Sequence, residues 1–166
     1  MATEAQTPEI PAVRWSPPGP WLAKVLNPVV RWLLESPLRW IPGKGLAVLR
    51  VRGRKSGRTY TVPVTWNDLN DEVVVLTAAK WRTNLAGGAD VEITHAGKRI
   101  RKRADIVANP EAVARTYLKA VEAYGLRKAK SRVGVAVRDR DDLGFESMAE
   151  ACRRDHMVAI RLTDPQ

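Results

Sequence analysis

One cysteine, one phenylalanine and two histidines are all that the 166 residues contain of these types. With Cys152 alone, no internal disulfide framework exists, and a reducing, cytoplasmic compartment is the natural setting. No apolar run approaches the roughly 20 residues that a membrane-spanning helix needs. No basic-then-apolar secretory signal opens the chain. His95 and His156 flank strands without metal-ligand spacing, so both read as structural and no metal is expected. Cys152 sits beside Arg153 and Arg154, which would lower its pKa, but a lone cysteine on a helix reads first as packing. Gly-x-Ser-x-Gly, His-Glu-x-x-His, a phosphate loop and the dinucleotide glycine fingerprint are all missing. The chain shows no acid–base machinery of its own and no catalytic residue can be assigned. An enzymatic role would place the chemistry on a bound cofactor.

What is abundant is positive charge. Lysine and arginine outnumber the acids 28 to 18, a formal net charge of +10. Such a balance selects anionic partners: phosphorylated cofactors, nucleic acid or an anionic membrane surface. Hydrophobic content of 45% is enough for one globular domain with a real core. Of six tryptophans, four fall in the first 40 residues. Residues 1–20 are rich in Pro, Ala, Thr and Glu and end in Ser16-Pro17-Pro18-Gly19-Pro20, which predicts a flexible arm with Trp15 and Trp21 as anchors. Residues 21–166 form the single domain. Its leader is cut by Asn27-Pro28 and Ser36-Pro37, each an N-cap followed by proline, predicting short helices over about 21–26, 28–35 and 37–40. Packing on the sheet or on a second copy is the first reading of that leader. Peripheral membrane contact through its Trp and Arg residues is the second.

The centre of the chain is Val48–Trp66. Leu49 and Val51 alternate before Gly53-Arg54-Lys55-Ser56-Gly57-Arg58; Tyr60, Val62, Val64 and Trp66 alternate after it. Period two with β-branched and aromatic residues predicts two strands joined by a hairpin-type turn. Gly53 and Gly57 permit positive φ, so that backbone N–H groups can converge on an anion. Arg54, Lys55 and Arg58 add charge, and Ser56 adds a donor. An ordinary solvated basic hairpin explains the same residues about equally well.

Asn67–Asp71 reads as a turn cluster. Further strands are predicted at Glu72–Thr77, Asp90–His95, Lys98–Val107 and Met157–Leu162. The density of cations from Lys98 to Arg103 suits a solvent-facing sheet edge. Asn109-Pro110-Glu111 caps a helix that Gly125 closes. Leu126–Asp142 is polar apart from Val133–Val137, a segment able to pair with the sheet, and a short helix is expected at Phe145–Arg154. Six strands linked mainly by hairpins, with no βαβ rhythm, predict an antiparallel β-barrel with peripheral helices.

Three blocks carry a resemblance: Leu49–Val64, Val73–Lys80 and Trp81–Ile93. In order and spacing they resemble the deazaflavin-dependent nitroreductase family, over about residues 27–107. The resemblance implies a mainly β fold with helices, the split β-barrel of flavin reductases and FMN-binding proteins. It also implies a homodimer and an actinobacterial source. The implied activity is that of an oxidoreductase using a deazaflavin, coenzyme F-420, to pass hydride to a small hydrophobic acceptor: a quinone, nitro compound or activated alkene. Relatives use FMN or FAD. In the family, segments matching Arg54, Lys55, Ser56 and Gly57 lie against the cofactor's phosphate and acidic tail. Pro63 and Val64 match the strand entering the cofactor groove. Ala78, Ala79 and Lys80 match the block approaching the ring and phosphate, and Trp81, Asn84 and Leu85 match the following helical turn. Tyr117 and Tyr124 are candidates for a substrate-pocket tyrosine. Lys80 runs directly into Trp81, where better-known members carry a longer glycine-rich insertion. That shortening keeps open a non-catalytic flavin- or lipid-binding protein on the same fold. Nucleic acid ranks last, because the aromatics near Lys98–Arg103 are too few for a stacking platform.

Overall fold

The computed structural model describes residues 11–16, 45–70 and 72–165. The predicted leader helices and Trp21 lie outside these residues. Nine strands are present among the described residues: β1 (Val13–Trp15), β2 (Leu46–Arg52), β3 (Thr59–Thr65), β4 (Asn67–Leu69), β5 (Glu72–Thr77), β6 (Ala89–His95), β7 (Lys98–Val107), β8 (Val135–Val137) and β9 (Val158–Thr163). Helices α1 (Pro110–Tyr124), α2 (Leu126–Val133) and α3 (Phe145–Arg154) follow β7, and a 3-10 helix spans Lys80–Leu85.

Seven strands form one antiparallel sheet in the order β3-β2-β6-β7-β9-β5-β4. Its two edge strands, β3 and β4, are separated in the chain by Trp66 alone. A sheet whose opposite edges are joined by one residue has to curl on itself, and this one does so as a split barrel. Alternation then sorts the side chains. Leu49, Val51, Val64, Val75, Ile93 and Ile160 fill the barrel interior. On the outer side of β4, β5 and β9, Leu69, Val74, Leu76 and Ala159 meet the helices in a second core.

Helix α1 begins as its sequence dictates. The Asn109 side chain accepts from the Ala112 amide at 2.9 Å, Pro110 follows as the first helical residue, and Gly125 ends the helix at φ 79°. Its buried face of Val113, Ala114, Tyr117, Ala120 and Val121 lies on the sheet's outer core. Each large apolar side chain there contributes about 1.5–3 kcal/mol.

The structure corrects several expectations. Asn67–Leu69, read as a turn, is strand β4. Its buried Asn67 donates to the Val74 carbonyl at 3.2 Å, a partner on the neighbouring strand that turn propensity does not reveal. Val13–Trp15 is no arm but strand β1, paired with β8 in a separate two-stranded sheet. The apolar Val135–Val137 therefore joins β1, not the main sheet. The charge-dense stretch after Gly125 is helix α2, held by buried Ala129 and Val133. The basic strand β7 is central, flanked by β6 and β9. Two of its outward cations are paired across the sheet: Arg99 reaches Glu92 at 3.3 Å, and Arg103 reaches Asp90 at 3.6 Å. Ile100, Ala104 and Ile106 of the same strand turn inward to the barrel core.

Candidate functional site

The antiparallel register gives the barrel two ends. At one end β2 stops and β3 starts, so the Gly53–Arg58 turn projects there. The same register brings the end of β5 and the start of β6 to that end, with the 3-10 helix between them. The turn and the helix meet: the Arg54 amide donates to Asn84 Oδ1 at 3.2 Å, and Asn84 Nδ2 donates to the Trp81 carbonyl at 3.0 Å. Two sequence blocks 30 residues apart are thus joined through one amide side chain.

The turn closes on itself. The Gly53 amide donates to the Arg58 carbonyl at 2.7 Å, and the Gly57 amide to the Gly53 carbonyl at 2.9 Å. The Arg58 amide donates to Ser56 Oγ at 3.3 Å, and Ser56 Oγ shares a 3.1 Å hydrogen bond with the Tyr60 hydroxyl. Gly57 sits at φ 66°, and a Cβ on Gly53 would lie 2.5 Å from Tyr60 Cε2. The amides of residues 53, 54, 57 and 58 are therefore engaged. The concavity of free N–H groups expected from the two glycines is largely spent on the turn itself, so side chains must supply the anion affinity. Arg54, Lys55, Arg58 and Lys80 are exposed, and none has a carboxylate partner among the described residues.

Ala78 and Ala79 bridge β5 to the helix, half-buried. Arg82 braces them, its Nη1 donating to both carbonyls at 2.7 and 3.0 Å. Lys80 opens the helix, about 8 Å of axial rise before Asn84. Trp81 lies half-buried against the barrel core. Val64 faces the barrel interior and Pro63 the opposite side of β3, both toward the other end of the strand. They are not brought to the turn. Sequence reasoning missed Arg82 and Tyr60 as parts of this rim. Tyr60 carried a signal, being an aromatic directly after a basic turn; Arg82 carried none.

Other candidates resolve differently. Tyr117 is fully buried in the helix–sheet core, where burial pushes its hydroxyl pKa well up. Cys152 is buried too. Desolvation raises its thiol to about 11, outweighing the neighbouring arginine. It packs, as first read, and its arginine neighbours do not activate it. Tyr124 lines a groove of about 450 Å³, but at the barrel's opposite end. Among the described residues, no group of three His, Cys, Asp or Glu could hold a metal, and no helix is long and apolar enough to cross a membrane.

No family model and no curated protein matches the sequence. Solved structures do show likeness. An F420-H2 dependent reductase (FDR-A) aligns over 72% of this chain and 94% of its own, at 14% identity and a TM-score of 0.43. A domain-swapped dimer aligns over 84% and 97%, at 16% identity and a TM-score of 0.46. An F420 reductase aligns over 77% and 92%, at 12% identity and a TM-score of 0.42. Likenesses of this depth carry no functional argument.

Proposed function

We infer that the chain is an oxidoreductase that holds a deazaflavin at the turn end of its barrel and passes hydride to a quinone, nitro compound or activated alkene. One observation carries this reading. The two blocks that resemble the deazaflavin-dependent nitroreductases meet through Arg54 and Asn84, and they form a rim of exposed cations with no acid paired to them among the described residues. The donor set fits a polyanionic cofactor tail: Arg54, Lys55 and Arg58 on the turn and Lys80 on the helix offer four positive charges to one end of the barrel. The cofactor supplies the hydride chemistry. This chain's residues bind and orient. Lys55 and Lys80 would hold phosphate and carboxylate groups, Tyr60 and Trp81 would flank the apolar portion, and Arg82 would keep Ala78 and Ala79 close to the ring. A homodimer with a cytoplasmic setting belongs to the same reading.

A second reading, a non-catalytic flavin- or lipid-binding protein, draws on the direct passage from Lys80 into Trp81 within one 3-10 helix, which leaves no loop to fold over a cofactor. Titration of the purified full chain with oxidised deazaflavin, FMN and FAD, followed by cofactor fluorescence, separates the two. Micromolar binding of the deazaflavin with weak flavin binding supports the reductase. Preferential binding of FMN or FAD changes the cofactor, and binding of none of the three removes the enzyme reading.

A further inference from the structure

The groove at the opposite end of the barrel is built from different chemistry, and nothing in the cofactor reading uses it. Six residue steps of β3 separate it from the basic turn, about 20 Å. Trp66 follows β3 and His95 ends β6, and their rings stack with centroids 4.1 Å apart and planes 5° apart. Tyr124, at the end of α1, lines the same groove. Arg132 of α2 lies over the Tyr124 ring at 4.4 Å and donates through Nη2 to the Trp66 carbonyl at 3.2 Å. Three elements distant in sequence are therefore fastened around one aromatic-walled space, and the guanidinium is fixed in position at its edge.

Cations outnumber acids around this space: Asp68 is the one carboxylate among its lining residues, against the Arg132 guanidinium and the cations of helix α2. Helix α2 contains no acid, and its exposed Arg127, Lys128 and Lys130 have no ion pair among the described residues. Lys128 stands four residues before Arg132 and so shares its face of the helix. Asp68 also lines the groove and offers an acceptor. A volume of about 450 Å³ accepts a one- or two-ring molecule.

We propose that this groove binds a planar aromatic carboxylate. The ring lies along the Trp66–His95 and Tyr124 walls, the carboxylate is directed to Arg132 and Lys128, and a ring hydroxyl faces Asp68. The site is independent of the cofactor reading, because its residues and its end of the barrel are separate.

Amide-resolved NMR titration of the full chain with 6-hydroxy-2-naphthoate, and with the neutral 6-hydroxy-2-naphthamide, tests this. The expected result is shifts centred on Trp66, Ala96 and Arg132, with the acid binding about fivefold more tightly than the amide. Lys128→Ala, at an exposed position, should reduce that preference, and Arg132→Gln should remove it. Should Arg132→Gln unfold, Lys128→Ala still decides the point. Lys55→Ala should leave the preference unchanged. Equal affinities for acid and amide, shifts centred on the Gly53–Arg58 turn, or no shifts at millimolar ligand would each overturn the proposal.

Discussion

Asn84 Oδ1 accepts the backbone amide of Arg54 at 3.2 Å, and this bond is what makes one rim out of a hairpin turn and a 3-10 helix. The Asn84 side chain also donates to Trp81, so the helix's own geometry sets where the acceptor points. Replacing Asn84 with Ala should cost about 1 kcal/mol of stability, the net worth of a typical hydrogen bond. It should weaken deazaflavin binding more than the loss of stability alone explains, because Arg54 and Lys55 lose their tie to Lys80. Thermal denaturation and cofactor titration of the same variant separate the two effects.

Gly53 and Gly57 have different reasons to be glycine. At Gly53 a Cβ would press on Tyr60 Cε2 at 2.5 Å and Ser56 Oγ at 2.8 Å. Gly57 is left-handed, with nothing closer than 3.9 Å to an added Cβ. Gly57→Ala should cost about 1 kcal/mol through backbone strain alone. Gly53→Ala should cost about 1–3 kcal/mol as the crowded ring shifts. Chemical denaturation midpoints give the comparison, and the expected order is Gly53→Ala below Gly57→Ala.

Strand β1 is clamped by Asp155, which accepts the Trp15 amide at 2.8 Å, while Arg154 donates to the Val13 carbonyl at 2.8 Å. Burial pushes the Asp155 carboxyl up, but the Arg154 and Trp15 hydrogen bonds and the Arg154 and His156 charges together hold it below its ordinary 3.8. A depressed folded value means the contribution is complete above the unfolded pKa and is lost as pH falls through the folded one. The clamp should therefore persist at neutral pH and open only in acid below about pH 4. Asp155→Asn should destabilise at neutral pH by about 1–3 kcal/mol and flatten the acid limb of a stability–pH profile.

Cys152, with its thiol raised to about 11, should resist thiol reagents in the native state at pH 8. Labelling with a disulfide-exchange reagent should proceed only as fast as the protein opens, and should become rapid in denaturant.

Much of the barrel was legible because period two is a local signal. Leu49 and Val51, Tyr60 to Val64 and Val73 to Val75 alternate or run apolar where the strands lie, and Asn109-Pro110 and Gly125 bracket α1. What failed was long-range or short. β4 has three residues and no period to read. β1 finds β8 about 120 residues away through the pairing of Val13 with Val137. The cations of β7 suggested an edge because their neutralising partners, Asp90 and Glu92, belong to another strand. The basic turn and the Ala78–Lys80 block were each readable, but their contact through Asn84 was not, because a side-chain hydrogen bond across 30 residues leaves no local trace. The Trp66–Arg132 contact that shapes the far groove spans 66 residues and was invisible for the same reason.

The central claim is that Lys55 and Lys80 face one anionic cofactor. Deazaflavin affinity of the Lys55→Ala/Lys80→Ala double variant, set beside the parent chain, tests it most directly. Both lysines are exposed and unpaired among the described residues, so the variant should fold with an unchanged melting temperature. Its affinity should fall by at least about tenfold, and the salt dependence of binding should weaken with it. A folded double variant that binds the deazaflavin as tightly as the parent would contradict the assignment of this end of the barrel.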